Sequence, residues 1–411
     1  MGVELRPLGV SCNIVCQYCY QNPQRDAGNL SKRYDMAAMK AAVERDGGPF
    51  TLFGGEPLLV PEQDLEELWR WGLERFGSNG IQTNGVLIND NHLRLFRQYR
   101  VHVGISIDGP GELNDVRWAG SIEATRQATA KTEAAMERLC REGMPPSLIV
   151  TLHRANATAG KLPILHDWMR RLDAMGVRSA RLHLLEVELE SIRRKYALSA
   201  AENVAALESF AVLEETLPAL RFDVFQDMEN MLFGRDNSTT CVWTACDPYT
   251  TRAVQGVEGT GQRSNCGRTN KEGIDFVKAD TPGFERYLAL YHTPQEYGGC
   301  KDCRFFLMCK GQCPGTALAG DWRNRSEHCE VWLSLYRFLE SRWLDRGRTP
   351  VSAHPFRKLI EARVVAGWEA GRNLSMCEVI ESLKAAAGLP SAAAGTSHGD
   401  AHGDHFDSRA N

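Results

Sequence analysis

The chain has 411 residues, of which 43% are hydrophobic and 24% charged, and a formal net charge of -4. This length allows two to three domains, and the weak negative charge argues against a general nucleic-acid binder or a membrane-surface protein. No apolar run reaches the roughly 18 residues of a membrane span. The first residues lack the pattern of a secretory signal, so we expect a cytoplasmic protein with no membrane or nucleic-acid partner.

Short apolar runs alternate with helical patterns over the first part of the chain. Strands are predicted at residues 3–8, 49–53, 80–83, 101–107, 147–152 and 180–185, and helices at 62–76, 92–98, 122–142 and 162–175. This alternation predicts an α/β fold with a parallel sheet and right-handed crossovers. A curved partial barrel of six such units and a flat doubly wound sheet share the pattern, so periodicity alone does not choose between them.

After about residue 225 the alternation stops, and Cys, Gly and polar residues dominate through Cys329. A loop-rich segment of this kind buries little apolar surface, so we expect metal centres to hold it together. Helical patterns return at residues 330–342, 356–368 and 375–386. The predicted organisation is a barrel at 1–225, a cysteine-rich domain at 226–345, C-terminal helices at 346–389 and a disordered tail at 390–411.

Thirteen cysteines are the most informative feature of the composition. Three lie between residues 12 and 19, and eight lie between 241 and 329. An odd number in a chain without a secretory signal argues against a disulfide framework. Clustered thiols in a reducing compartment are more often metal ligands, and eleven exceed what one zinc site needs.

The first group has the spacing Cys12-x3-Cys16-x2-Cys19 and follows the first predicted strand. Three thiolates on one loop can hold three irons of a [4Fe–4S] cluster and leave the fourth iron open to the amine and carboxylate of a ligand. A zinc loop is the alternative, but three ligands without a nearby fourth make a poor structural zinc site.

This spacing, with Tyr18 before the third cysteine, resembles the signature of the radical S-adenosylmethionine (SAM) superfamily. Further motifs follow in the order of that family: Gly54-Gly55-Glu56-Pro57, Gln82-Thr83-Asn84-Gly85, Ser106-Ile107-Asp108-Gly109 and Asn114-Asp115-x-Arg117. The resemblance implies that the first of these motifs contacts the methionine amine of SAM. It also implies SAM contacts for Gln82 and Ser106, and it places Tyr18 and Asp108 in the cofactor-binding motifs. Alternatively, the Gly54–Pro57 motif is a plain turn, and Ser106 and Asp108 cap the next helix.

The second group resembles the SPASM domain, which carries two auxiliary [4Fe–4S] clusters in many radical SAM enzymes. By analogy with the sulfatase-maturating members, one cluster is expected on Cys241, Cys246, Cys266 and Cys313. The other is expected on Cys300, Cys303, Cys309 and Cys329. Spacing alone allows other pairings, and Cys300-x2-Cys303 taken by itself would favour a zinc ribbon.

The resemblance implies three [4Fe–4S] clusters and reductive cleavage of SAM to a 5′-deoxyadenosyl radical, which removes a hydrogen from a C–H bond. Two auxiliary clusters favour net oxidation. The leading interpretation is therefore a maturase that forms a C–S, C–C or C–O link in a ribosomally made peptide. Expected partners are a precursor peptide and an electron donor such as flavodoxin or ferredoxin. Many peptide maturases carry a leader-binding domain before the barrel. Because the first strand is predicted to start at about residue 3, we expect no such domain here, and a separate leader-binding protein is a further candidate partner.

Other functions stay open. Sulfatase-maturating enzymes, which make formylglycine, carry an Asp after the third auxiliary cysteine, whereas Gly267 and Arg268 stand here; Asp247 is a possible substitute base. A peptide epimerase needs a cysteine hydrogen donor, for which Cys377 is a candidate, while Cys140 is expected in the core. A small-molecule dehydrogenase and a non-catalytic iron–sulfur scaffold complete the alternatives.

Overall fold

The structure is a computed structural model that describes residues 2–26, 33–187, 189–239, 241–247, 255–269 and 283–389. Within these residues nine strands form one sheet: β1 Val3–Arg6, β2 Phe50–Leu52, β3 Asn79–Thr83, β4 Val101–Ser106, β5 Ser147–Leu152, β6 Ser179–Leu184, β7 Arg221–Phe222, β8 Gln255–Glu258 and β9 Arg263–Ser264. Their order is β7-β6-β5-β4-β3-β2-β1-β8-β9. All neighbouring strands are parallel except β8 and β9. The predicted α/β class with a parallel sheet is confirmed.

Helices connect and surround these strands. They are α1 Asn22–Asp26, α2 Met36–Asp46, α3 Glu62–Phe76, α4 Asp90–Gln98, α5 Ile122–Arg141, α6 Leu162–Ala174, α7 Glu190–Tyr196, α8 Ala200–Glu214, α9 Asp223–Leu232, α10 Val242–Ala245, α11 Glu285–His292, α12 Phe306–Cys309, α13 Cys329–Asp345, α14 Arg357–Glu369 and α15 Met376–Ala386. No helix of the described chain is both long and apolar enough to cross a membrane.

The two faces of the sheet differ because side chains alternate along each strand. In β6, Ala180 and Leu182 belong to the buried core, which they share with apolar residues of the surrounding helices. Their neighbours Arg181 and His183 point to the opposite face, where they line a cavity. This alternation separates an apolar face that stabilises the fold from a polar face that can bind a ligand.

Eight of the helices, α1, α2 and α7 to α12, and the last three strands were not expected from the sequence pattern. One of these helices, α2, is Ala-rich and starts at Asp35, whose side chain accepts a hydrogen bond from Ala38 N, and it ends at Gly47 in the left-handed conformation. No strand is predicted beyond residue 225, yet β8 pairs in parallel with β1, in the register Val3↔Gln255. The cysteine-rich part of the chain therefore extends the sheet.

The C-terminal helices pack on the cysteine-rich part through aromatic side chains. Phe305 stacks on Tyr336 of α13 with ring centroids 5.4 Å apart. Phe306 meets Trp368 of α14 edge to face at 6.0 Å. The predicted disordered tail from residue 390 lies outside the described residues.

Candidate active site

A cavity of about 1780 Å³ occupies the polar face of the sheet. Its lining runs from Pro49 and Val101, at the amino ends of the strands, to Thr83, Ser106 and Thr151, near their carboxyl ends. Loops at the carboxyl ends of parallel strands are the usual place for ligand sites in α/β folds.

Cys12, Cys16 and Cys19 all line this cavity. Their loop is closed by hydrogen bonds from Cys19 N to Cys16 O at 3.1 Å and from Asn22 N to Cys19 O at 3.0 Å. Burial raises the pKa of Cys12 and, to about 12, that of Cys16, and a negative charge on Cys19 raises both further. The three thiols thus lie close enough to interact, and iron binding would release their protons.

Gly54 and Gly55 allow their loop to lie directly against the backbone of the cysteine loop. A Cβ atom on Gly54 would collide with Gly9 O, and one on Gly55 would collide with the backbone of Ser11. Gly55 N donates to Gly9 O at 3.0 Å. Both glycines line the cavity, so the part of its wall that lies against the cysteine loop is backbone.

Glu56 is buried and ties this loop to the end of β3. One carboxylate oxygen accepts hydrogen bonds from Leu58 N at 3.0 Å and Thr83 Oγ1 at 2.7 Å, and the other accepts from Asn84 N at 2.8 Å. The Asn84 side chain in turn donates to Asn13 Oδ1 at 2.7 Å, next to Cys12. Two of the SAM motifs predicted from the sequence are therefore connected to the first thiol.

Gln82 and Ser106 lie on neighbouring strands and both line the cavity. Gln82 Nε2 donates to Ser106 Oγ at 2.8 Å. Gly104 gives the glutamine its space, since a Cβ atom there would overlap with Gln82 Oε1. These two side chains present a polar pair to the cavity, where the sequence motifs predict SAM contacts.

Asp108 is 0% exposed and does not line the cavity. Its carboxylate accepts from Tyr18 OH at 2.5 Å, from Arg117 Nη2 at 3.0 Å and from Thr151 N at 3.0 Å, and it lies 3.3 Å from His153 Nε2. Burial alone would raise the pKa of Asp108, but Arg117 and His153 outweigh it and hold that pKa below its usual value. Asp108 therefore joins the cysteine loop to the sheet instead of facing a ligand.

The segment after Asp108 also holds the cysteine loop. Val15 N donates to Trp118 O at 2.7 Å, and Gln17 N donates to Val116 O at 2.9 Å, as in a short strand pair. The Arg117 guanidinium lies 5.9 Å from the centre of the Tyr18 ring. The backbone and the Asp108 network thus fix the loop from two sides.

The eight later cysteines fall into two groups, and the thiols within each group interact electrostatically with one another. Burial raises the pKa of Cys246 well above its usual value, and negative charges on Cys241, Cys266 and Cys313 add to this. Burial likewise raises the pKa of Cys309, with further contributions from Cys300, Cys329 and Cys303. The assignment of these eight cysteines to two clusters stays a prediction. Cys241 and Cys266 also line the cavity.

The donor sets fit iron–sulfur clusters in number and chemistry. No cysteine forms a disulfide. Sets of three, four and four thiols match the Cys ligation of [4Fe–4S] clusters. Among the described residues, no three Cys, His, Asp or Glu side chains converge on a point that a single metal ion could occupy.

A charged group at the end of β6 escaped the sequence motifs. Glu186 is 6% exposed, lines the cavity and forms an ion pair with Arg268 through one oxygen. Its second oxygen, Oε2, has no hydrogen-bond partner among the described residues. Burial and the positive charges of Arg268 and Arg181 lower the pKa of His183 nearby. The sequence analysis singled out Arg268 of this pair because it follows Gly267. Its partner, Glu186, was not recognisable from the local sequence.

The candidate base and hydrogen donor lie away from the cavity lining. Asp247 is fully buried and interacts electrostatically with Tyr287. Cys377, at the start of α15, donates its backbone N–H to Asp236 Oδ1 at 3.0 Å, and Cys140 is half-buried in α5. None of these three residues lines the cavity. The roles of Asp247 as a base and of Cys377 as a hydrogen donor stay predictions that this placement disfavours.

Residues 7–157 match the family model of the radical SAM superfamily. The serine-type anaerobic sulfatase-maturating enzyme of Klebsiella aerogenes is 30% identical over 212 residues, which are 48% of this chain and 50% of that protein. The chain thus spans about half the length of this relative. The enzyme of the same name from Bacteroides thetaiotaomicron is 22% identical over 354 residues, 76% of this chain and 82% of that one.

Two solved structures share the fold. Native anSMEcpe with bound AdoMet and the Cp18Cys peptide gives a TM-score of 0.64 at 17% identity, covering 84% of this chain and 98% of that one. Streptococcus suis SuiB gives a TM-score of 0.50 at 14% identity, covering 80% and 77%. The chain therefore contains a radical SAM domain that is homologous to the corresponding part of the anaerobic sulfatase-maturating enzymes.

Proposed function

We propose that this protein is a radical SAM oxidoreductase of the SPASM type that oxidises a side chain of a peptide. One arrangement supports the proposal: Cys12, Cys16 and Cys19 line the same cavity as Cys241 and Cys266. A substrate bound there would lie near both the three-thiol loop and two thiols of a four-thiol set. It can lose a hydrogen atom toward the first site and an electron toward the second.

We assign one [4Fe–4S] cluster to the three-thiol loop and one to each four-thiol set. When bound, these clusters and SAM supply electron transfer and the 5′-deoxyadenosyl radical that removes a hydrogen from the substrate. The chain itself orients SAM and the substrate and excludes water. The loop of Gly54 and Gly55 lies against the backbone that leads into the cysteine loop, Gln82 and Ser106 offer polar contacts to SAM, and Asp108 fixes Tyr18.

The size of the cavity favours a substrate larger than a metabolite. Ligand cavities commonly measure about 300–1,000 Å³, and this one measures about 1780 Å³. It has room for SAM and for part of a peptide. The structure of anSMEcpe was solved with a bound peptide, and it shares the fold of this chain. An electron donor of the flavodoxin or ferredoxin type completes the proposal.

For the product, the first candidate is a C–S, C–C or C–O crosslink. The basis is the pair Gly267 and Arg268, which stand where the sulfatase-maturating enzymes carry an aspartate that acts as a base. The second candidate is formylglycine itself, as made by a sulfatase-maturating enzyme. One observation favours it: Glu186 lines the cavity beside Arg268, and its second carboxylate oxygen, which has no hydrogen-bond partner among the described residues, can accept the proton of a substrate hydroxyl or thiol.

Turnover of SAM is the first test. The protein is purified and reconstituted anaerobically with iron and sulfide, then incubated with SAM and dithionite. We expect 5′-deoxyadenosine and methionine. Intact clusters without either product would instead mean a non-catalytic scaffold.

Peptides distinguish the products. A sulfatase peptide and a short peptide encoded beside the gene are each incubated with the enzyme and analysed by mass spectrometry. A crosslink and a serine-derived formylglycine both lose two hydrogens, so a hydroxylamine reagent that reacts only with the aldehyde separates them. Deuterium incorporation without other mass change would indicate epimerisation.

Glu186→Gln tests the role of the carboxylate in proton removal. We expect slower peptide oxidation by this variant, by about 10²-fold or more, with 5′-deoxyadenosine formation retained. Glu190→Gln is the matched control, since Glu190 is an exposed acid of α7 that pairs with Arg193. Equal peptide oxidation by the two variants would remove Glu186 from the proposal.

A further inference from the structure

Arg286, on α11, is a buried cation held by backbone carbonyls. It is 1% exposed. Its guanidinium donates five hydrogen bonds, to Trp322 O at 2.8 Å, Lys310 O at 3.3 Å, Gly311 O at 3.5 Å, Gln312 O at 3.0 Å and Asn324 O at 3.1 Å. In the described part of the chain, no carboxylate oxygen lies within ion-pair distance of it. A buried charge without a counter-charge is costly, so its compensation must come from other groups.

Three of these carbonyls belong to the strap, which we define as residues 310–312. The strap runs from Cys309 of one four-thiol set to Cys313 of the other. All three residues are left-handed, with φ of 50° at Lys310, 71° at Gly311 and 59° at Gln312. This conformation is energetically unfavourable for Lys310 and Gln312, because a Cβ atom disfavours the left-handed region. The hydrogen bonds to Arg286 stabilise a backbone that the local sequence does not favour.

Arg286 also contacts the chain beside a cysteine of each set. It donates to Lys310 O, directly after Cys309, and to Gln312 O, directly before Cys313. Cys313 belongs to the set that reaches the cavity, and Cys309 belongs to the other. The guanidinium is therefore placed between the two sets, where it can interact with negative charge on either side of the strap.

We propose that Arg286 is a positioning residue shared by the two auxiliary cluster sites. Its charge is compensated by the cysteine thiolates of both sites, and its hydrogen bonds fix the strap between them. This inference rests on the proposed function, in that the two sets hold iron–sulfur clusters. Nearby positive charge and hydrogen bonding raise the reduction potential of such clusters, so one side chain sets both potentials in the same direction.

The experiment isolates the two auxiliary sites. Cys12, Cys16 and Cys19 are replaced by alanine in the full-length protein, which removes the three-thiol site. In this parent, Arg286→Gln removes the charge, and Arg286→Lys keeps it but cannot reach five carbonyls. Arg304→Gln is the matched control, because Arg304 also lies beside a cysteine of the second set but is half-exposed and paired with Glu340 at 2.5 Å. Iron content and EPR-monitored midpoint potentials are measured under anaerobic conditions.

We expect Arg286→Gln to shift both midpoint potentials downward and to bind less iron than Arg304→Gln. Arg286→Lys should bind more iron than Arg286→Gln, with both potentials close to those of the parent, but should unfold at a lower temperature. The inference is overturned if Arg286→Gln keeps full iron and both potentials, if only one potential moves, or if the lysine variant binds no more iron than the glutamine variant. A parent without auxiliary iron would instead contradict the proposed function.

Discussion

Replacing Gly55 with alanine tests how closely the cysteine loop must be supported. A Cβ atom at this position would lie 2.5 Å from Ser11 C and 2.6 Å from Val10 O and would overlap with Ser11 O. All three are backbone atoms, so no side chain can rotate away. Ordinary contact begins near 3.4 Å, and the two loops must therefore separate by roughly 1 Å in a closely packed interior.

The structure gives the size of the effect. Overpacking of this kind costs about 1–3 kcal/mol. The separation also weakens the hydrogen bonds from Gly55 N to Gly9 O and from Glu56 N to Ser11 O, each worth about 0.5–1.5 kcal/mol. For catalysis the displacement matters more, because a misplacement of about 1 Å can cost about 10²-fold in rate. We expect 5′-deoxyadenosine formation to fall by about that factor.

Gly160→Ala is the matched control for this measurement. Gly160 has nothing within 4 Å of an added Cβ atom and no positive φ, so the same substitution there is accommodated. Both variants are reconstituted in parallel, their iron content is determined, and 5′-deoxyadenosine is quantified by chromatography. If Gly55→Ala forms it as fast as Gly160→Ala, the close approach of the two loops is not needed for the reaction.

Two further predictions concern the same loop. Asp108→Asn leaves Arg117 without its counter-charge and should lower the free energy of unfolding by about 3–5 kcal/mol at pH 7; equal urea denaturation of the two proteins would refute this. Because the pKa of Asp108 lies below its usual value, its ion pair stabilises the native state above the ordinary Asp pKa, and the difference between the two proteins should narrow as the pH falls below about 4. Cys16→Ala should abolish SAM cleavage, whereas Cys377→Ala should leave it intact, since only Cys16 lines the cavity; cleavage at the wild-type rate by the first variant would exclude the loop as the cluster site.

Much of the sheet was predictable because its strands carry a strong local signal. The strand at β5 was predicted at its observed bounds, 147–152, and α3 likewise at 62–76. In α3 apolar residues recur with the helical period, and β5 is a short apolar run; both signals depend only on neighbours in the chain. The Ala-rich α2 has no such stripe, so its caps and packing decide its structure.

The charged contacts of the site were less predictable, because they join distant parts of the chain. Glu186 and Arg268 are more than eighty residues apart, and nothing in the sequence of either indicates the other. Asp108 was predicted from its motif, but the motif could not show that its carboxylate points to Tyr18 and Arg117 and not to the ligand. Arg286 carried a weak signal, as a lone cation within the apolar stretch of α11.

The parallel pairing of β8 with β1 has a consequence for protein engineering. A truncated product ending near residue 225 would lack β8, and the backbone N–H and C=O groups on that flank of Val3–Arg6 would be exposed to solvent. Bare strand flanks recruit strands from other molecules. Expression of the amino-terminal portion alone should therefore yield aggregates, even though strands β1 to β7 are all present in it.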